Sequence, residues 1–167
     1  LALAMARNAK GHEIWLALSA AFPQSILDLR HAFSDLIPQE RIRVFSIPQP
    51  TAEVEPANGW RARAAEIIRE EFLESIQPDV IHIPSLFEGY GDDAVASLGV
   101  CTSGYKTAVT LHDLIPLLDQ ASYLPNPIIR DYYFRKIDSI KHAGLLLAIS
   151  ESSRKEAMSA LSWPEDK

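Results

Sequence analysis

Apolar and polar positions change period several times along the chain, and each change marks an element. Leu1 to Lys10 is rich in Ala and Leu and predicts a helix, ended by Gly11, whose freedom at positive φ suits a helix terminus. His12 to Ser19 is nearly continuous apolar after its first two residues, as in a strand buried on both faces. From Pro23 the residues Ile26, Leu27, Leu29, Phe33, Leu36 and Ile37 recur at three- and four-residue steps, which predicts a helix with one buried stripe, closed by Pro38. A short strand over Ile42 to Ile47 follows, then a loop punctuated by Pro48, Pro50, Pro56 and Gly59. Trp60 to Ile76 predicts a long amphipathic helix, with Ile67, Ile68, Phe72 and Ile76 inward and Arg63, Arg69, Glu70 and Glu74 largely turned away. The β-branched run after Pro78, ending at Ile83, reads as a central strand.

Ser85 to Tyr105 is less regular. Thr107 to Leu111 predicts another strand, ending in the doublet His112-Asp113, and a helix is expected over Pro127 to His142. Leu145 to Ile149 is a last strand, and Ser150 or Ser153 caps a last helix; Ser153 and Glu156 have the spacing of a capping box. Strand and helix alternate throughout. Parallel strands need crossovers and crossovers are right-handed, so this order predicts an α/β fold: a Rossmann-like doubly wound parallel sheet with helices on both faces. Such a domain ordinarily opens on a strand and a tight glycine turn, whereas this chain opens on a helix. The expectation is one domain over residues 1–167 with its first strand absent, and Ser162 to Lys167 leading out toward a further domain. No internal repeat or low-complexity linker divides it.

Composition narrows the class. The 167 residues are 47% apolar and 23% charged, the balance of an ordinary globular domain. Sixteen Lys and Arg against 22 Asp and Glu give a formal charge of −6. A pI near 5.3 and the lack of a clustered basic face argue against a dedicated nucleic-acid binder. The single Cys101 forms no internal disulfide and has no recognisable nucleophile context. No stretch reaches the ~18 consecutive apolar residues of a membrane span, so a soluble protein is expected, with peripheral membrane contact left open.

In an open parallel sheet, ligands bind at the carboxyl ends of the strands. That rule selects Pro84 to Gly91, His112 to Pro116 and Ser150 to Ser153. His112 is the leading candidate, because an imidazole at a strand end can donate to a hydroxyl or a developing anion near neutral pH. Asp113 can orient it or satisfy turn amides, and the doublet also fits a simple hydrogen-bonded cap. A metal site is not expected: the doublet follows a strand, and His12, His31, His82 and His142 lack ligand spacing. Glu88-Gly89-Tyr90-Gly91-Asp92-Asp93 offers carboxylates, an aromatic ring and two glycines suited to gripping sugar hydroxyls, and fits a solvated turn equally well. It lacks the lysine of a phosphate loop and the third glycine of a dinucleotide fingerprint. His82 reads as a satisfied near-core histidine, and Tyr132, Tyr133 and Phe134 as core and rim packing.

Several segments taken together resemble one family. They are Leu1-Ala2 through Gly11-His12-Glu13, Asp79-Val80-Ile81-His82, Thr110-Leu111-His112-Asp113-Leu114-Ile115-Pro116, Tyr123-Leu124-Pro125 with Tyr132-Tyr133, and Ala148-Ile149-Ser150-Glu151-Ser152-Ser153-Arg154. In order and spacing they are similar to the amino-terminal half of the retaining glycosyltransferases of family 4, which pair two Rossmann-like domains in the GT-B arrangement. The His-Asp-Leu-x-Pro segment is similar to that of bacterial mannosyltransferases building surface polysaccharide. The resemblance implies that His112 faces an interdomain cleft and contacts the transferred sugar; Asp113, next to it, is the second catalytic candidate. It also implies that Ser85, Glu88, Gly89 and Tyr90 lie near the acceptor, and that Ser150 sits on the hinge side. It further implies a glycan acceptor, a nucleotide-sugar donor with GDP-mannose as candidate, no other cofactor, and a carboxyl-terminal donor-binding domain elsewhere in the protein. The implied location is the cytoplasm, at the inner face of the membrane. The isolated 167 residues are expected to be inactive. The alternative is a non-enzymatic Rossmann-like ligand-binding module. A receiver would need an acidic cluster and a late lysine that cannot be placed, and a dehydrogenase half would need a full glycine fingerprint.

Overall fold

The computed structural model describes residues 1–101 and 106–164; the last four residues of the irregular 85–105 stretch and Glu165 to Lys167 of the exit segment lie outside them. In chain order the elements are α1 (Ala2–Arg7), β1 (Leu16–Ser19), α2 (Pro23–Ala32), β2 (Ile42–Phe45), α3 (Gly59–Ser75), β3 (Val80–Ile83) and β4 (Lys106–Leu111). They continue with α4 (Ile115–Leu118), α5 (Gln120–Tyr123), α6 (Pro127–Ile140), β5 (Leu145–Ala148) and α7 (Glu151–Ala160). Strands and helices alternate as expected from the sequence except that β3 leads to β4 with no helix between them among the described residues, and the fold is α/β with parallel strands in open sheets.

The strands form two sheets among the described residues, where a single one was expected: β1 pairs with β2, and β3, β4 and β5 lie side by side with β4 central. Their burial follows from position. Thr107 to Leu111 of β4 are all buried because a strand flanks each edge, whereas β3 buries Ile81 and Ile83 and β5 buries Leu146 between exposed Leu145 and Leu147. The inward residues pack with Leu73 of α3, Tyr132, Tyr133, Ile137 and Ile140 of α6 and Ala157 of α7. A smaller core joins Ala6, Phe33, Ile37 and Ile42, and the Phe45 and Phe72 rings, 5.4 Å apart, link β2 to α3. The short helices α4 and α5 were not expected. Pro116 suits the first turn of α4, and Asp119 caps α5 by accepting from the Ser122 amide at 3.2 Å.

Helix α3 departs from its hydrophobic pattern. Ile67 and Ile68 are 46% and 41% exposed, while Ala62, Ala65, Glu66, Glu70 and Leu73 are buried. The small alanines let other segments approach closely, and both glutamates find partners there. Glu70, fully buried, accepts from the amides of Val100 and Cys101 at 2.8 and 2.7 Å. Glu66 pairs with Arg135 at 2.8 Å, Arg63 at 3.3 Å and Lys136 at 3.7 Å, and Glu53 joins the group through Arg63 at 2.8 Å and through Arg135.

Lys136 is 1% exposed, and its Nζ donates to the Ala96 carbonyl at 2.5 Å. Burial pulls the ammonium down to about 8, against the opposing pull of Glu66. Between pH 8 and its ordinary value of 10.5, the unfolded chain therefore binds more protons at this lysine than the folded one, and its contribution to stability rises with pH. Urea unfolding at pH 7, 8, 9 and 10 should show the wild-type unfolding free energy, relative to Lys136→Met, level up to about pH 8 and climbing above it. A difference that stays level across the range would contradict this account.

Candidate functional site

Three segments following β3, β4 and β5 converge, because parallel strands deliver their carboxyl ends to one edge of the sheet. His112 leaves the end of β4 with its side chain exposed, and its Nε2 lies 3.2 Å from the carbonyl of Pro84, just past β3. Next to Pro84, the Ser85 hydroxyl donates to Glu88 Oε1 at 2.7 Å. The imidazole, the hydroxyl and an exposed carboxylate thus lie along one short rim.

Asp113 turns to its own backbone. Its Oδ1 accepts from the Ile115 amide at 3.1 Å, an Asx-type turn that leads into α4. Ser150 is the N-cap of α7: its Oγ accepts from the Ser153 amide at 3.1 Å and lies 3.0 Å from the Ser153 hydroxyl. Of the two caps allowed by the sequence, Ser150 is the one used. The expected Ser153–Glu156 capping box does not form, because both side chains are engaged by the β4 loop: Ser153 Oγ donates to the His112 carbonyl at 2.5 Å, and Glu156 Oε2 accepts from the Leu114 amide at 2.9 Å. Neither contact is legible in local spacing, since each joins residues more than forty positions apart.

The loop after β3 is shaped from beneath. Tyr132 donates its hydroxyl to the Glu88 carbonyl at 2.9 Å, and the amides of Glu53 and Val54 donate to the carbonyls of Gly89 and Tyr90 at 3.0 and 2.8 Å. Gly89 is buried, and the Tyr90 ring turns inward to lie 5.3 Å from the Tyr132 ring, so these two shape the loop while Ser85 and Glu88 present polar atoms near its rim. Glu53 and Tyr132 are supports that the sequence did not single out for this loop.

Other titratable groups are quieter. His82 Nε2 lies 2.9 Å from Thr110 Oγ1, and partial burial holds its imidazole below the ordinary value, as a satisfied near-core histidine requires. The Tyr133 hydroxyl is pushed up to about 12 by burial, and its ring stacks on Phe87 at 5.0 Å. The Cys101 thiol is pushed up to about 11 by desolvation and then by Glu71, which keeps it protonated. Among the described residues no group of His, Cys, Asp and Glu is arranged to hold a metal ion, and no helix is long and apolar enough to cross a membrane. A separate apolar cleft lies at the carboxyl end of β1, lined by Leu18, Ser19, Phe22, Ser25, Ile26 and Leu29.

Over 165 residues, 98% of its length, the chain is 32% identical to the serotype-specific mannosyltransferase WbdA of Escherichia coli. Two further Escherichia coli proteins of that name are 33% identical over 156 residues, 93% of this chain. The aligned stretch is 20% of the length of the first relative and 19% of the others, so the chain spans about one fifth of the curated relatives it matches. No protein-family profile matches the chain, and no solved structure does.

Gly89 tests the shape of the loop. Its φ is +95°, and a Cβ there would lie 2.1 Å from the Ala94 carbonyl oxygen, backbone that cannot swing aside as a side chain would. Gly89→Ala should destabilise the protein by about 1–2 kcal/mol from the left-handed backbone alone, with the clash adding to it, as read by chemical denaturation. An unchanged midpoint and slope would show that the loop does not hold this conformation.

Proposed function

We propose that this chain is the acceptor-side, amino-terminal domain of a retaining glycosyltransferase that moves a hexose, mannose in this reading, from a nucleotide sugar to a glycan hydroxyl. The carrying observation is the similarity to mannosyltransferases along 98% of the chain, which takes in the strand end where His112 stands exposed. The rim chemistry favours the same reading. Ser85, Glu88 and the His112 imidazole can exchange hydrogen bonds with hydroxyls, and the nearby carboxylates of Glu88 and Asp113 suit a neutral sugar better than a diphosphate.

In the transfer, the bond from the anomeric carbon to the diphosphate oxygen breaks and the diphosphate leaves with the electron pair. The anomeric carbon bonds to the acceptor oxygen, whose proton passes to the departing diphosphate oxygen, and the anomeric configuration is retained. His112 would hold the transferred sugar by a hydrogen bond that strengthens as charge develops, with Ser85 and Glu88 orienting the acceptor hydroxyl. A donor-binding domain elsewhere in the protein would hold the nucleotide, with GDP-mannose as the candidate donor. The reading places the enzyme in the cytoplasm, working against the inner face of the membrane through peripheral contact.

The test is transfer by the full-length protein carrying this chain, against a panel of nucleotide sugars, repeated with His112→Ala. Removing a contact made in the transition state should lower kcat about 10²–10³-fold, or about 2.7–4 kcal/mol. The isolated 167 residues should not turn over. Failure of the full-length protein to transfer from any nucleotide sugar would overturn the reading, and wild-type kcat in His112→Ala would remove that residue from the site.

A further inference from the structure

We propose that Glu156, acting with Ser153, is a positioning residue for His112: α7 grips the backbone on both sides of Asp113 and thereby aims the imidazole. The inference rests on the reading of His112 as a site residue and adds to it the element that holds the residue in place.

The β4 loop carries no regular structure between Leu111 and Ile115, so it needs outside partners to stay in one conformation. It finds them on one helix. The buried Ser153 hydroxyl takes the His112 carbonyl, and half-buried Glu156 takes the Leu114 amide. Leu114 is fully buried, so its N–H has no recourse to water, and loss of the carboxylate would strand a buried donor. Glu156 is itself held on its other oxygen by the Ser152 hydroxyl at 3.2 Å, and Ser153 is held by the N-cap Ser150. The two acting groups lie three positions apart on α7, so both face the loop. Helix α7 is moored in turn by Ala157, buried in the main core.

The imidazole is met from the opposite direction by the Pro84 carbonyl. Its position is therefore fixed by α7 through the main chain and by the β3 loop through the ring. Because catalysis depends on placement at the scale of an ångström, slackening the α7 grip should reach the reaction although Glu156 itself touches only protein.

The experiment uses the full-length protein with Glu156→Ala, Glu156→Gln, His112→Ala and the Glu156→Ala/His112→Ala pair. Glu156→Ala should lower kcat about 10- to 100-fold while donor and acceptor KM stay within about twofold. Glu156→Gln should restore most of the loss, because its amide oxygen can still accept from the Leu114 N–H. In the His112→Ala background, Glu156→Ala should cost less than about twofold more, the non-additivity of residues acting through one another. Ser153→Ala, which removes the other grip, should reproduce the kcat loss if Glu156→Ala proves too unstable to assay. Wild-type kcat in Glu156→Ala or, failing that, in Ser153→Ala would overturn the inference. A glutamine variant as impaired as alanine, or a loss that adds in full to that of His112→Ala, would also overturn it. A crippled His112→Ala beside an unaffected Glu156→Ala defeats this inference alone, whereas a fully active His112→Ala defeats the site reading and this inference together.

Discussion

Two carboxylates buried on one face of α3 hold in place the part of the chain that has no regular structure of its own. Charges removed from water are costly unless they are paired and hydrogen-bonded. Glu70 meets that condition through the Val100 and Cys101 amides, and Glu66 through Arg63, Arg135 and Lys136. Apart from Arg63, on α3 itself, the partners come from the segment after β3 and from α6, so satisfying the carboxylates fixes that irregular segment and α6 against α3. Such a network adds little net stability over an apolar replacement, but it admits few alternative arrangements, since a misplaced loop would leave a charge stranded.

The candidate site inherits that order. The loop bearing Ser85 and Glu88 is pinned through Tyr132, Glu53 and Val54, and the side chain of Glu53 belongs to the same ion-pair group as Glu66. The loop bearing His112 is held independently by α7. Two irregular segments, tied to different helices, therefore meet where the imidazole approaches Pro84. Polar groups on loops positioned by rigid elements form the common arrangement of binding edges in parallel α/β folds.

Much of this was legible in the sequence where the signal was local. The β-branched run before Pro84, the apolar run before His112 and the leucines before Ser150 each gave a strand, and with them the prediction that three polar segments share one edge. His82 was legible as a satisfied histidine for the same reason. The misses share a cause. On α3, Ile67 and Ile68 attract a reading by hydropathy, yet Glu66 and Glu70 are the buried side chains, because a carboxylate's burial is decided by distant donors that no window contains. Glu156 has the spacing of a capping box with Ser153 three residues before it, whereas its carboxylate accepts from the Leu114 amide, forty-two positions away.

The sequence by itself determined the alternation of strand and helix, the parallel sense of the strands and the strand ends at which polar residues collect. These depend on hydrophobic period and chain connectivity, which act over a few residues or through crossovers of limited length. Tertiary structure alone decided that the strands fall into two sheets, that two glutamates of α3 lie inside, that Tyr90 turns inward and that α7 grips the loop of His112. Those outcomes depend on which buried donor meets which acceptor across long sequence separations, and that matching exists only once the chain has closed on itself.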